Sequence, residues 1–316
     1  YLNIPSGSSG KGFYKNSYFV RNLRKAFYPQ KDDNYNSKKN PYDIKKIEGE
    51  LRFISVDIAT RAGKANDLSI SSAVQATPML GRGYARHLLY LESFKGVNTL
   101  TQAKRIKEIF LDFDADFMVL DLQQAGISVF DALSQPTFSD ERGITFPPMT
   151  VVDMDYDFVE EKVRKELQDR TLGVGALPVI FPISASQQSN SIMASLLRAS
   201  LQKKLWQFLI PESEAEDWLM KNNKEFVADI NDSDAFAFFM SPYVQTSLFI
   251  GECINLDREI VNGMIKLTEK PGCYKDRYTS ILYLNSVIAH FDKFLLKENE
   301  KQEDDWESLA GVSLVY

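Results

Sequence analysis

A chain of 316 residues has material for one large domain or two small ones around a sizeable core. With 44% hydrophobic and 25% charged residues it reads as an ordinary globular protein; no apolar run nears the roughly 18 residues a membrane span needs, and no signal peptide opens it. Net charge −6 disfavours an extended nucleic-acid coat but permits a local basic patch, and two cysteines, Cys253 and Cys273, make neither a disulfide framework nor a zinc site and suit a reducing compartment.

Residues 1–48, rich in Gly, Ser, Asn, Lys and Tyr without sustained apolar period, read as a linker or arm. Gly7 to Gly12 imitates a phosphate-binding loop, but Pro5 stands where the pattern needs Gly and Gly12 where it needs a hydroxyl, so an ATP site is rejected. From Gly49 the texture changes. Leu51, Phe53, Ser55 and Asp57 alternate with Arg52, Ile54, Val56 and Ile58 as a strand, Arg61 to Asp67 carries turn chemistry, and Leu68, Ile70, Ser72 and Val74 return as a second strand. Tyr84 to Ser93 reads as a third strand. A capping box at Thr99 to Gln102 opens a helix with Ala103, Ile106, Phe110 and Phe113 on one side. Phe117 to Leu122 is apolar on both faces, as in a central strand, and the helix that follows should turn Ile127, Phe130 and Leu133 inward.

Asp153, Asp155 and Asp157 imitate a calcium loop, but Phe158 and Arg164 occupy its Gly and Glu positions. Asp157 to Glu160 reads instead as the box of a helix with Val159, Val163 and Leu167 inward. Leu177 to Phe181 is a further strand, Ser191 to Leu209 a helix, and Ala215 to Gly263 mostly helix and loop. Arg277 to Leu296 is the last helix, and residues 297–316 a charged tail.

Asp57 and Asp121 each end a buried strand, and Asp276 sits where a loop enters the last helix. If the first and fourth strands are parallel neighbours, Asp57 and Asp121 share a site, and carboxylates so close need protons or cations. Mg²⁺ or Mn²⁺ suits oxygen ligands, and two such ions about 3.5–4 Å apart support phosphodiester hydrolysis. The bland readings remain open: Asp121 as a cap on the next helix, Asp276 as a helix cap, Glu92 as a solvated edge residue, Asp67 as part of its turn, Asp131 as an exposed acid, His87 and His290 as packing residues.

Val56-Asp57-Ile-Ala with its Gly/Asn/Asp turn, Val119-Leu-Asp121-Leu-Gln-Gln-Ala-Gly126 with the helix behind it, and Lys275-Asp276-Arg-Tyr-Thr-Ser280 together resemble the nuclease domain of tailed-phage terminase large subunits. The resemblance spans roughly residues 49–285. It implies an α/β, RNase H-like mixed sheet flanked by helices, with a long helical insertion before the last helix. It also implies Mg²⁺- or Mn²⁺-dependent endonuclease cutting of concatemeric viral double-stranded DNA in the host cytoplasm, Asp57, Asp121 and Asp276 being the metal ligands. Residues 1–48 would then link the nuclease domain (49–296) to a packaging ATPase, which works with a portal protein and a small terminase subunit. The nuclease part itself is expected to be a monomer.

Duplex DNA over an acidic pocket needs a basic rim. Arg61, Lys64, Lys275 and Arg277 are the candidates, with Arg198, Lys203 and Lys204 as an extension, and no base-reading motif is evident. Competing readings are a junction resolvase or ribonuclease of the same fold, an actin-like kinase, which lacks its second phosphate hairpin here, and a non-catalytic portal-docking module.

Overall fold

A computed structural model describes residues 12–29, 46–58, 69–94, 98–123 and 125–311, with side chains to residue 297. In chain order the strands and helices are β1 (Arg21–Leu23), β2 (Leu51–Asp57), β3 (Ser69–Met79), β4 (Gly83–Phe94), α1 (Thr99–Asp112), β5 (Phe117–Asp121) and α2 (Gly126–Leu133). Then follow β6 (Thr137–Ser139), β7 (Ile144–Phe146), β8 (Met149–Val151), α3 (Glu161–Asp169), β9 (Leu177–Ile183), α4 (Gln187–Gln202) and β10 (Trp206–Leu209). The chain continues through α5 (Glu212–Asn222), α6 (Lys224–Ala228), α7 (Ser233–Ile254), the hairpin β11 (Leu256–Val261) and β12 (Met264–Glu269), and α8 (Asp276–Gly311).

Among the described residues the main sheet has eight strands in the order β1-β10-β4-β3-β2-β5-β9-β8. Its heart is β4-β3-β2-β5-β9: β2, β3 and β4 form an antiparallel meander, while β5 and β9 add parallel to β2. That order and those directions make the fold RNase H-like, a mixed sheet flanked by helices, with α5 to β12 inserted before the last helix.

The sequence explains the middle of the sheet. β2 is buried from Arg52 to Val56, because its two alternating sets feed two different cores. Phe53, with Val119 and Phe181 on the neighbouring strands, packs under α4, α7 and α8 through Leu197, Phe249 and Ile281. Ile54 and Val56, with Met118 and Leu120, pack under α1 and α2 through Ile106, Ile109 and Phe130. Helix α8 is fastened across the sheet at two levels. Ser280 O accepts Ser55 Oγ (2.9 Å), and Asp292 takes the buried Arg86 guanidinium (2.5 Å) and the Tyr84 N–H (2.8 Å). Gly83 lies beneath Asp292 at φ +84°, where a Cβ would meet Oδ1 at 2.5 Å, so a side chain there is excluded on both counts.

Several expectations change. Residues 12–29 do not behave as an arm: Phe13, Tyr14 and Phe19 enter the core, and Arg21–Leu23 pairs with β10 in the main sheet. The helix expected to reach Leu209 stops at Gln202. Lys204 takes φ +56°, and Trp206 and Phe208 then alternate into the core as β10, a pattern of period two that helical spacing hides. The cap of α1 is Asn98, whose Oδ1 accepts Thr101 N–H (2.9 Å), one residue ahead of the expected box. Ile127 is 44% exposed, and Val129 takes the inward place beside Phe130 and Leu133. Helix α3 starts after Glu160, and Asp157 pairs with Lys293 (3.0 Å) instead of capping it. A strand pair, β11–β12, stands where helix and loop were expected, and α8 runs on to Gly311. No helix among the described residues is long and apolar enough to cross a membrane.

Candidate active site

Parallel pairing of β2 and β5 runs Ser55↔Val119 and Val56↔Leu120, so Asp57 and Asp121 come next in register, at the ends of adjacent strands. By alternation both lie on the face of Phe53 and Val119, the face that α8 covers. Ser280, bonded to Ser55, is one turn into α8, and Asp276 opens that helix. The three acids thus line one cavity of about 420 Å³. Its walls include Gln187 and Asn190 at the start of α4, Lys266 and Glu269 on β12, and Lys275 and Tyr283. The hairpin is moored to α4, since Ile265 N–H donates to Ser191 Oγ (2.9 Å) and Gln187 Nε2 donates to Ile265 O (3.1 Å).

Asp121 is 8% exposed, and its Oδ1 accepts Gln123 N–H (2.9 Å), a turn that opens the loop toward α2. The chain bends so tightly here that a Cβ on Gly126 would stand 1.8 Å from Asp121 O. The glycine is therefore what lets α2 start against the end of β5.

The electrostatics of the cavity are those of a crowded acid cluster. Burial pushes the Asp57 carboxyl well above the usual carboxylate range; Asp121, Asp276 and Glu252 push it further, and Lys275 opposes them. Burial also raises Asp121, against the Gln123 N–H that favours its charge. The Tyr283 phenol is held up by burial and by Asp121 and Asp57. Such a cluster keeps its charges only with cations and otherwise binds protons. The donors are carboxylate oxygens, the class that Mg²⁺ and Mn²⁺ prefer, so the chemistry of the set fits those ions. In the geometry adopted, no three His, Cys, Asp or Glu side chains among the described residues are grouped tightly enough to hold one.

The basic candidates separate. Lys275 lines the cavity and pairs with Glu269 (3.0 Å). Arg277 does not reach the rim: it is 6% exposed, with Nη1 on Glu252 (2.6 Å) and Nε on Gln245 (2.6 Å). Arg198 lies over the Phe13 ring at 4.7 Å. Lys203 and Lys204 follow the far end of α4, about 24 Å along the helix from Gln187. Arg61, Lys64 and Asp67 lie outside the described residues.

The other candidates are occupied elsewhere. Glu92 joins Arg105 of α1 (2.8 Å) and Tyr90 Oη (2.6 Å) on the opposite face of the sheet. Asp131 pairs with Arg170 (2.5 Å), His87 faces Gln75 (3.3 Å), and His290 packs against Phe294. Residues the sequence reading passed over include Lys266, Gln187, Asn190 and, above all, Glu252. That acid offered a signal, as the single charge in the apolar run Leu248 to Ile254.

No protein-family model matches the chain, and no curated protein matches it in sequence. Among solved structures it is similar to the large terminase nuclease from thermophilic phage G20c with bound magnesium: 12% identity, 85% of this chain and 93% of that one covered, TM-score 0.43. It is also similar to a mutant nuclease domain of the large terminase subunit gp2 of bacterial virus Sf6 with manganese and beta-thujaplicinol: 10% identity, 77% and 87% covered, TM-score 0.34.

Proposed function

We propose that this chain is a divalent-metal-dependent DNA endonuclease of the terminase large-subunit type, hydrolysing phosphodiester bonds of concatemeric viral double-stranded DNA. The observation that carries the reading is the meeting of three carboxylates, Asp57, Asp121 and Asp276, in one cavity at the strand ends of an RNase H-like sheet. Burial, and at Asp57 the neighbouring acids as well, raises the proton affinity of both strand-end carboxyls, a perturbation that clusters at functional sites.

In this reading Asp57, Asp121 and Asp276 would hold Mg²⁺ or Mn²⁺, two ions in the full site. Bound there, the ions supply charge neutralisation at the phosphate and activation of water. The chain's own part is positional. Strand register sets Asp57 beside Asp121, and α8 brings Asp276 over them. Lys275 and Lys266 offer charge to the DNA backbone, with Arg61 and Lys64 as further candidates; Arg277 takes no part in that track. Contacts of this kind are independent of base sequence. In the full packaging motor an ATPase domain, a portal protein and a small terminase subunit would be the partners, in the cytoplasm of the infected host cell.

The test is nicking and linearisation of supercoiled plasmid in Mg²⁺ and in Mn²⁺, beside Asp57→Asn, Asp121→Asn and Asp276→Asn. Wild type should cut, and each variant should lose on the order of 10²–10³ in rate. Intact plasmid with wild type at every metal concentration sinks the nuclease reading, and variants that cut like wild type sink the site. Four-way junctions and RNA–DNA hybrids as parallel substrates separate a resolvase or ribonuclease from a cutter of plain duplex.

A further inference from the structure

We propose that Glu252 and Arg277 are positioning residues, a clamp between α7 and α8 that aims Asp276 at the other two acids. The inference rests on the nuclease reading above.

Glu252 is in an unfavourable place by itself. It is 8% exposed in the last turn of α7, where the helix dipole disfavours an anion. Both of its oxygens are used by α8. Oε1 takes Arg277 Nη1 at 2.6 Å and Oε2 takes Tyr278 N–H at 2.9 Å. The second bond satisfies one of the amides that a helix start leaves without an intrahelical acceptor. Gln245, two turns earlier on α7, takes Arg277 Nε at 2.6 Å, so the guanidinium is gripped from two points on one helix face.

Asp276 immediately precedes this grip. On its other side α8 is fixed to the sheet by Ser280, whose carbonyl accepts Ser55 Oγ (2.9 Å) and whose hydroxyl meets Ser72 Oγ (3.2 Å). The first turn of α8 is therefore held from α7 and from β2 and β3 at once. Apolar side chains of similar volume would join two helices about as firmly as a buried ion pair does. What the pair adds is direction: each bond defines the rotation of α8 about its axis, and that rotation decides where Asp276 points.

The experiment uses the whole chain with Glu252→Gln, which keeps an acceptor for Tyr278 N–H and removes the charge, and with Gln245→Leu, which removes only the second grip and leaves every charge near the acids in place, so that lost aim is separated from the lost field of Glu252. Four quantities are compared with wild type: melting temperature, Mn²⁺ affinity by electron paramagnetic resonance, duplex affinity by fluorescence anisotropy, and single-turnover cleavage. Glu252→Gln should bind Mn²⁺ about 10- to 100-fold more weakly and cut correspondingly more slowly, with duplex affinity within about twofold. Gln245→Leu should shift the same two quantities in the same direction by a smaller factor. A purely structural role would lower the melting temperature and leave Mn²⁺ affinity of the folded protein unchanged, which overturns the proposal. If Glu252→Gln does not fold, Gln245→Leu decides, and wild-type Mn²⁺ affinity in that variant overturns the clamp. Wild type that binds Mn²⁺ without cutting DNA refutes the nuclease reading while the Mn²⁺ comparison still judges the clamp. Wild type that does neither overturns both.

Discussion

A group of acids lies on each side of the sheet, between it and its helices, and the two groups are built on opposite principles. On the α1 side, Glu92 of β4 and Glu108 and Asp112 of α1 itself are matched by arginines. Arg105 takes Glu92 at 2.8 Å and lies 3.7 Å from Glu108, while Arg142 grips Asp112 with two bonds of 2.7 and 2.8 Å. Beneath α8, burial and then Asp121, Asp276 and Glu252 raise the proton affinity of Asp57, and Lys275 opposes them. Both groups are largely removed from water, so the difference is one of pairing. A paired buried acid fastens elements together. A crowded one leaves the fold with a demand that a bound cation or a proton must meet.

The largest effect that would test this contrast is on the paired side. Arg142→Ala removes both guanidinium bonds to the buried Asp112 and should cost about 3–5 kcal/mol in denaturant unfolding. Plasmid cutting per folded molecule should stay at the wild-type level. If cutting falls while the fold survives, the group on the α1 side is not merely structural and the contrast is wrong.

The paired and crowded groups were not equally visible in the sequence. Asp57 and Asp121 were legible because each ends an apolar run, and burial of a charge at a strand end has few explanations. β2 to β5, α1 and the last helix were legible by period, as local patterning predicts. The grip of Glu252 on Arg277 was not, because it joins residues 25 apart on two helices whose relative rotation is set by packing and not by spacing. Arg277 looked like a rim residue for that reason: next to Asp276 in sequence, it points into the protein. β1 and β10 were hidden as well. β1 has three residues and gains its place only by pairing with β10, while Trp206 and Phe208 continue an apolar run that began as helix.

An intermediate effect should follow at Gly126. Its position admits no Cβ, since one would stand 1.8 Å from Asp121 O, so Gly126→Ala must push the end of β5 away from α2. The expected cost is about 1–3 kcal/mol. Unlike Arg142→Ala, this change should also reduce cutting by the folded fraction, because the displaced strand end carries Asp121. Unchanged turnover in a destabilised Gly126→Ala would separate the acid from the chemistry and weaken its place in the site.

The smallest effect runs the other way, and its sign is the sharpest feature of the contrast. Asp57 has its proton affinity raised in the folded protein, so folding favours the protonated form. The stability associated with that proton is fully present below the unfolded carboxylate value of 3.8 and is lost as pH rises through the higher folded value. At neutral pH, well above the unfolded value and without divalent metal, the buried acid therefore burdens the fold, and Asp57→Asn should be more stable than wild type by about 1 kcal/mol. The advantage should shrink as pH falls toward the unfolded value, where wild type is protonated too. Saturating Mn²⁺ should also cancel it, because the ion stabilises wild type through the charge that the variant lacks. Thermal melts of both proteins with chelator across this pH range, repeated with Mn²⁺, read the whole prediction. An Asp57→Asn that is less stable than wild type at neutral pH would mean that the carboxylate is satisfied as the acids on the α1 side are, and the two faces would then differ in degree only.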